Sequence, residues 1–280
     1  MTAKELLYLS WLSYIDLPAL YQALLARGGK VPVSALADTI LRMDAAGALD
    51  CIEMNDASRA AAREMRNSTA VLTGYVNDNT DDGFVAYTFE DGDETIVAMR
   101  GSESRGKCVP TNIDWTDNFC EPFAGSVQYP DIRKIAEQHR TGNVIFTGHS
   151  KGGHNAMYAR AVSENPDARA VAFNSQGFAR SALSEEEAGR LAESAVNYVV
   201  SDDLIGALLD HPERRVFVKQ ASGTQAHMPE AFLFDDCGAP IPTLRAPKSV
   251  VTELTTRAVD RALNGGTREK LKNFCKILVK

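Results

Sequence analysis

The chain has little that would bind a metal, cross a membrane or grip nucleic acid. Its five cysteines, Cys51, Cys108, Cys120, Cys237 and Cys275, are scattered without a C-x-x-C pair. An odd, unclustered set argues against a disulfide framework and against a zinc site, and points to free or buried thiols in a reducing compartment. No window is long and apolar enough to span a bilayer. The start, Met1 to Leu7 leading into Trp11 and Tyr14, lacks the basic head, apolar centre and small-residue cleavage site of a secretory signal. A cytoplasmic protein is therefore expected, and the Asn67-Ser68-Thr69 sequon reads as coincidence. Positive charge is also short: 30 Lys and Arg stand against 37 Asp and Glu, for a net charge of -7. That balance excludes the concentrated positive field on which non-specific nucleic-acid binding depends. Nor is there an internal repeat or a low-complexity block.

What remains is ordinary globular composition, 44% hydrophobic and 24% charged, over 280 residues. An α/β architecture of that size commonly forms one domain. Residues 4 to 65 read as helical: Asp16 can cap a helix with Pro18 in its first turn and Gly28-Gly29 at its end. Within it Leu17, Leu20, Tyr21, Leu24 and Leu25 share one face, which must pack on something. Ser34 can cap a further helix, and 58–65 is alanine-rich enough for another. Phe84 to Phe89 and Thr95 to Met99 flank Asp91-Gly92, a strong hairpin signal. Residues 131–140 read as a helix, and strands at 170–173, 196–200 and 215–218 with a helix through Glu185 to Glu187 imply a parallel sheet.

One stretch carries chemistry. Val144-Ile145-Phe146-Thr147 runs into Gly148-His149-Ser150-Lys151-Gly152-Gly153 and on into a helical segment. Strand, sharp turn and helix form the setting in which G-x-S-x-G places a serine on a strained turn where nothing larger than glycine fits beside it. Ser150 is thus a candidate nucleophile, and a serine hydroxyl needs an imidazole and a carboxylate to hold that imidazole. In this fold the order is Ser, Asp, His. After Ser150 the histidines are His154, on the elbow helix; His211, before Pro212 at a strand start; and His227, in a polar loop. His227 is the candidate base. For the acid, Asp202 and Asp203 both follow the Val196 to Val200 strand, where a carboxylate faces the ligand crevice of such sheets; Asp203 is favoured, with Asp202 as the alternative. The oxyanion needs two donors, the Lys151 N–H by position and Ser102, N–H and hydroxyl, after the Thr95 to Met99 strand.

These residues resemble a class 3-type lipase α/β hydrolase, and more closely a bacterial lipase-like family. The likeness runs in order over residues 85 to 235. Met99-Arg100-Gly101-Ser102 resembles an aromatic-Arg-Gly-Thr oxyanion loop, Asp114-Trp115-Thr116-Asp117 a D-W-x-x-D segment, Gly148 to Gly152 the elbow, and Asp203-Leu204-Ile205 an Asp-x-Val turn. The chain departs where Gly206 replaces a proline and Ser102 a threonine. The resemblance implies Asp203 as the acid and His227 as the base, ahead of a Phe232-Leu233-Phe234 strand. It implies an α/β-hydrolase fold, with a mostly parallel sheet flanked by helices, in a single domain. An N-terminal helical elaboration (1–70), a catalytic core (84–235) and C-terminal docking helices (246–280) would make up that domain. The expected activity is serine hydrolysis of a carboxylic ester, of an acyl lipid or a small molecule, without a cofactor; a thioesterase, a peptidase or a non-catalytic binding scaffold are the alternatives.

Other patterns are set aside. Gly101 to Lys107 begins a phosphate-binding loop, but Cys108 lacks the hydroxyl and Val109-Pro110 the helix that such a loop needs. His149 and His154 have no neighbouring ligand cluster and read as packing and surface residues. Arg268, Lys270, Lys272, Lys276 and Lys280 read as a solvated face, with peripheral membrane contact the alternative.

Overall fold

The computed structural model describes residues 1–49, 54, 56–102 and 113–244, together with helical positions at 254, 257, 258 and 261. Apart from those four positions, the C-terminal helices expected over 246–280 lie outside the described residues, as do Cys51, Cys108, Cys275 and the set-aside loop from Glu103 onward.

Eight strands among the described residues form one sheet in chain order. They are β1 (Val31–Pro32), β2 (Val71–Asp78), β3 (Phe84–Asp91), β4 (Glu94–Met99), β5 (Asn143–His149), β6 (Arg169–Phe173), β7 (Ala195–Val200) and β8 (Arg214–Val218). β1 to β4 pair antiparallel, and β4 to β8 pair parallel. The change of sense follows from the connections. β3 and β4 turn back directly at Gly92, whose φ of 60° glycine adopts without strain. The parallel strands need crossovers, supplied by α7 (Lys151–Val162) between β5 and β6 and by α8 (Glu185–Ser194) between β6 and β7.

Alternation along β4 and β5 sorts the core into two layers. Ile96, Ala98 and Ile145 face α1 (Ala3–Leu12), whose Leu6, Leu7, Leu9 and Leu12 are buried against them; α3 (Val33–Ala45) and α4 (Asp56–Met65) complete that side. Val97, Met99, Val144 and Phe146 face α7 and α6 (Tyr129–Gln138) on the other. Strands covered on both faces read as continuous apolar runs, which is why this part of the sheet stands out in the sequence. The topology, with its strand–turn–helix at Ser150, is an α/β-hydrolase fold. Among the described residues no helix is long and apolar enough to cross a membrane.

Several expectations are corrected. Asp16 is not the N-cap residue: Pro18 holds that place before α2 (Ala19–Leu25), and Asp16 accepts a 2.6 Å bond from Arg100. Tyr21 and Leu25 pack against the core, but Leu20 and Leu24 of the same stripe are exposed. Likewise Ser34 lies inside α3, which begins after Pro32. No strand forms over 232–234; Phe232 and Phe234 make single bridges to Gln220 and Pro240, because the surrounding Pro229, Pro240 and Pro242 cannot donate to a ladder. Strand β2 escapes the sequence reading because Gly74 interrupts it at a register shift. A Cβ there would lie 3.1 Å from Thr88.

Candidate active site

β5 ends in the middle of the sheet and turns into α7 through Ser150, at φ 57° and ψ -126°. For a serine this left-handed conformation is strained and persists only because its surroundings hold it. The Ser150 N–H donates to the Phe173 carbonyl at 2.9 Å, and the N–H groups of Gly153 and His154 turn back to the Ser150 carbonyl. The flanking glycines are required by contact. A Cβ on Gly148 would stand 2.1 Å from the Gly152 carbonyl carbon, and one on Gly152 would stand 2.2 Å from the Met99 carbonyl oxygen.

His227 bridges the serine and a carboxylate. Its Nε2 lies 2.9 Å from Ser150 Oγ, and its Nδ1 lies 2.9 Å from Asp203 Oδ1. An ionised carboxylate only accepts, so Nδ1 carries the proton and Nε2 presents its lone pair to the hydroxyl. Asp203 is buried, and it also accepts the N–H of Ile205 at 3.2 Å and of Gly206 at 2.8 Å. Gly206 stands where the resembled pattern has proline, and its N–H is a donor that proline would lack. Asp202, the alternative acid, is exposed, whereas Asp203 is the one that meets the imidazole.

Ser102 and Lys151, the expected oxyanion donors, are both bonded to α5 (Ile113–Ala124). Asn118 Nδ2 donates to Ser102 Oγ at 2.6 Å, and its Oδ1 accepts from Lys151 Nζ at 3.2 Å. Lys151 is fully buried and pairs with Asp117, which also accepts Ser126 Oγ at 2.5 Å and the Val127 N–H at 2.9 Å. Two further contacts run parallel to this one. Gln128 donates to Asp114 at 3.0 Å and accepts from Asn155 at 2.7 Å. Tyr129 donates to Glu121 at 2.8 Å and lies 3.0 Å from His154 Nε2. Asp114, Asp117 and Glu121 follow i, i+3, i+7 on α5, and Lys151, His154 and Asn155 follow i, i+3, i+4 on α7. Helical spacing therefore puts each set on one face.

His149 and His154 are both buried, which corrects the expectation of a surface role. His149 Nε2 lies 2.6 Å from the His227 carbonyl and so must donate to it. Burial, reinforced by the neighbouring His227, pushes its pKa down to about 3, so the ring is neutral at ordinary pH. Burial likewise lowers His154, whose Nδ1 lies 3.1 Å from the Gly177 carbonyl. Among the described residues no three His, Cys, Asp or Glu side chains gather as metal ligands. Sequence reasoning missed Asn118 and the pairing partner of Lys151. The signal was present in the D-W-x-x-D segment, which places two acids one helical turn apart ahead of an asparagine.

No curated protein matches the sequence. Among solved structures, a mutant form of MDLA from Penicillium cyclopium matches at 16% identity over 85% of this chain and 99% of that one, with a TM-score of 0.42. Lip2 lipase from Yarrowia lipolytica matches at 12% identity over 90% of this chain and 88% of that one, with a TM-score of 0.45. Rhizomucor miehei lipase in its propeptide complex matches at 12% identity over 84% and 80%, with a TM-score of 0.37. The family model described as Mbeg1-like matches residues 61–239, which is more than half of the chain and holds β2 to β8 with Ser102, Ser150, Asp203 and His227. The chain belongs to the Mbeg1-like family.

Proposed function

We propose that the chain is a serine hydrolase that cleaves a carboxylic ester, of an acyl lipid or a small molecule, through an acyl-enzyme on Ser150. The observation that carries the reading is His227 standing 2.9 Å from both Ser150 Oγ and Asp203. Ser150 Oγ attacks the ester carbonyl as its proton passes to His227 Nε2, and Asp203 orients the ring and stabilises the imidazolium. The tetrahedral oxyanion takes the Lys151 and Ser102 N–H groups and the Ser102 hydroxyl. Because Asn118 donates to Ser102 Oγ, the hydroxyl keeps its own hydrogen for that purpose. Protonated His227 hands its proton to the departing alcohol, and water activated by the same ring releases the acid and restores Ser150.

A fluorophosphonate probe tests the reading. Labelling of the folded protein at Ser150, lost in Ser150→Ala, is the expected result; no labelling of the folded wild type sinks the mechanism. The same triad can cleave thioesters and amides, because it fixes acyl transfer and leaves the departing group open. A substrate panel spanning esters, thioesters and amides ranks these, and ester turnover that leads the panel supports the assignment. Replacing Ser102 by Ala is expected to lower turnover about a hundredfold, since the amide donor stays and one hydroxyl donor is lost.

A further inference from the structure

We propose that Asn174 is a positioning residue for the reacting set: its one buried amide joins the strand that carries Asp203 to the loop that carries His227. The inference rests on the function proposed above. Asn174 follows the last residue of β6 at the carboxyl edge of the sheet and is fully buried. Its backbone N–H and both polar atoms of its side-chain amide are used. The backbone N–H donates to the Tyr198 carbonyl of β7 at 2.9 Å. Oδ1 accepts the Val200 N–H at 2.8 Å, and the Val200 carbonyl takes the Asp203 N–H at 2.9 Å, closing the turn that holds the acid. Nδ2 donates to the Ala226 carbonyl at 2.8 Å and the His227 carbonyl at 3.2 Å. One residue earlier, the Phe173 carbonyl takes the Ser150 N–H at 2.9 Å. The segment from Phe173 to Asn174 is thus bonded to the nucleophile, to the acid's strand and to the base's loop, and His149 adds its own bond to the same His227 carbonyl at 2.6 Å.

The chemistry of the position limits what can stand there. It needs one acceptor and two donors in a short side chain, which an amide supplies; a carboxylate would set a second acceptor against two carbonyls. It also needs φ 47°, a left-handed value that asparagine and glycine tolerate best among the residues. That second demand separates position from fold. Asn174→Gly keeps the backbone conformation and removes the amide alone, whereas Asn174→Ala also strains the chain.

The experiment measures fluorophosphonate reaction rate at Ser150, ester kcat and KM, and thermal midpoint for wild type, N174G and N174D. If the amide positions the base, N174G reacts about tenfold to a hundredfold more slowly, as sub-ångström to ångström misplacement of a reacting group produces. The loss falls on kcat, with KM unchanged. N174D, which keeps an acceptor for Val200 and lacks the donors, is slowed as well, and it decides the matter should N174G not fold. A folded N174G or N174D that reacts within twofold of wild type overturns the proposal, whatever its thermal midpoint. Absence of labelling in the wild type overturns the hydrolase reading and this inference together; a labelled wild type with an unslowed variant overturns this inference alone.

Discussion

On one face of the sheet Leu6, Leu7, Leu9 and Leu12 of α1 are buried against Ile96, Ala98 and Ile145, while on the other α5 meets α7 through Asp117 and Lys151, and through Gln128 and Tyr129. The first contact is non-directional: its stabilisation follows buried apolar area, about 25 cal/mol per Å², and tolerates small shifts of α1. The second is directional. A buried carboxylate and ammonium offset their desolvation only at hydrogen-bonding distance. Their pairing therefore holds α7 in one relation to α5, and α7 begins at Lys151, whose N–H faces the proposed oxyanion. The apolar face supplies stability and the polar face supplies position.

The largest expected effect comes from breaking the polar face. Lys151→Met leaves Asp117 buried without its cation, and loss of one partner of such a pair costs about 3–5 kcal/mol. If the pair sets the oxyanion geometry, ester turnover of the variant falls at temperatures where circular dichroism shows it folded; unaltered turnover in folded Lys151→Met would separate the ion pair from the chemistry. Leu9→Ala is the counterpart on the apolar face. Leu9 is fully buried, so a cavity there costs about 2–5 kcal/mol by denaturant titration. Turnover per folded molecule is expected to stay at the wild-type value. A matching loss of turnover would show that α1 also positions the site.

The same division explains what was legible in the sequence. Gly148 to Gly152 announces itself because close backbone approach allows nothing but glycine, and the doubly covered strands announce themselves as apolar runs. The order Ser102, Ser150, Asp203, His227 could be read because each follows a strand or sits in a polar loop. The polar contacts between α5 and α7 could not. Buried Lys151, Asp117 and Glu121 look in sequence like solvated surface, since the partner that makes burial tolerable is remote: Lys151 is bound to Asp117, and Asn155 reaches Asp114 through Gln128. Asn174 was hidden for the same reason, its amide answering carbonyls at 226 and 227. Exposed Leu20 and Leu24 show the converse, a helical stripe that periodicity alone assigns to the core.

Acid should weaken the fold through two buried histidines, His149 and His154. His149 titrates at about 3 when folded, because burial first and His227 second disfavour its charge. A folded pKa below the unfolded value means that the unfolded chain takes the proton first. The contribution is whole above pH about 6.5 and lost as pH falls from there towards 3, at up to about 1.4 kcal/mol per pH unit. His154, also lowered by burial, adds to the slope. Denaturant titrations between pH 7 and 5 should therefore show falling stability, with a shallower fall in His149→Gln; equal slopes would remove His149 as a source.

Asp82 provides the smallest and sharpest contrast with Asp117. Both carboxyls lie on the α7 side, but Asp117 has Lys151, whereas Asp82 is pushed up to about 7 by burial and then by the nearby Asp131 and Asp78. Here the sign reverses. As pH rises from about 4 to 7 the unfolded chain sheds its proton while folded Asp82 keeps it, so stability is lost on the way up and the loss is complete above pH 7. The group is half-exposed, which limits the cost to about 1 kcal/mol once solvent screening is counted. Asp82→Asn keeps an oxygen to accept the Phe84 N–H, which now lies at 2.8 Å, and removes the titration. Its thermal midpoint should match wild type at pH 4 and exceed it by about 2–4 °C at pH 8. A rise of equal size at both pH values would mean that packing, and not an uncompensated carboxyl, distinguishes this corner from the paired Asp117.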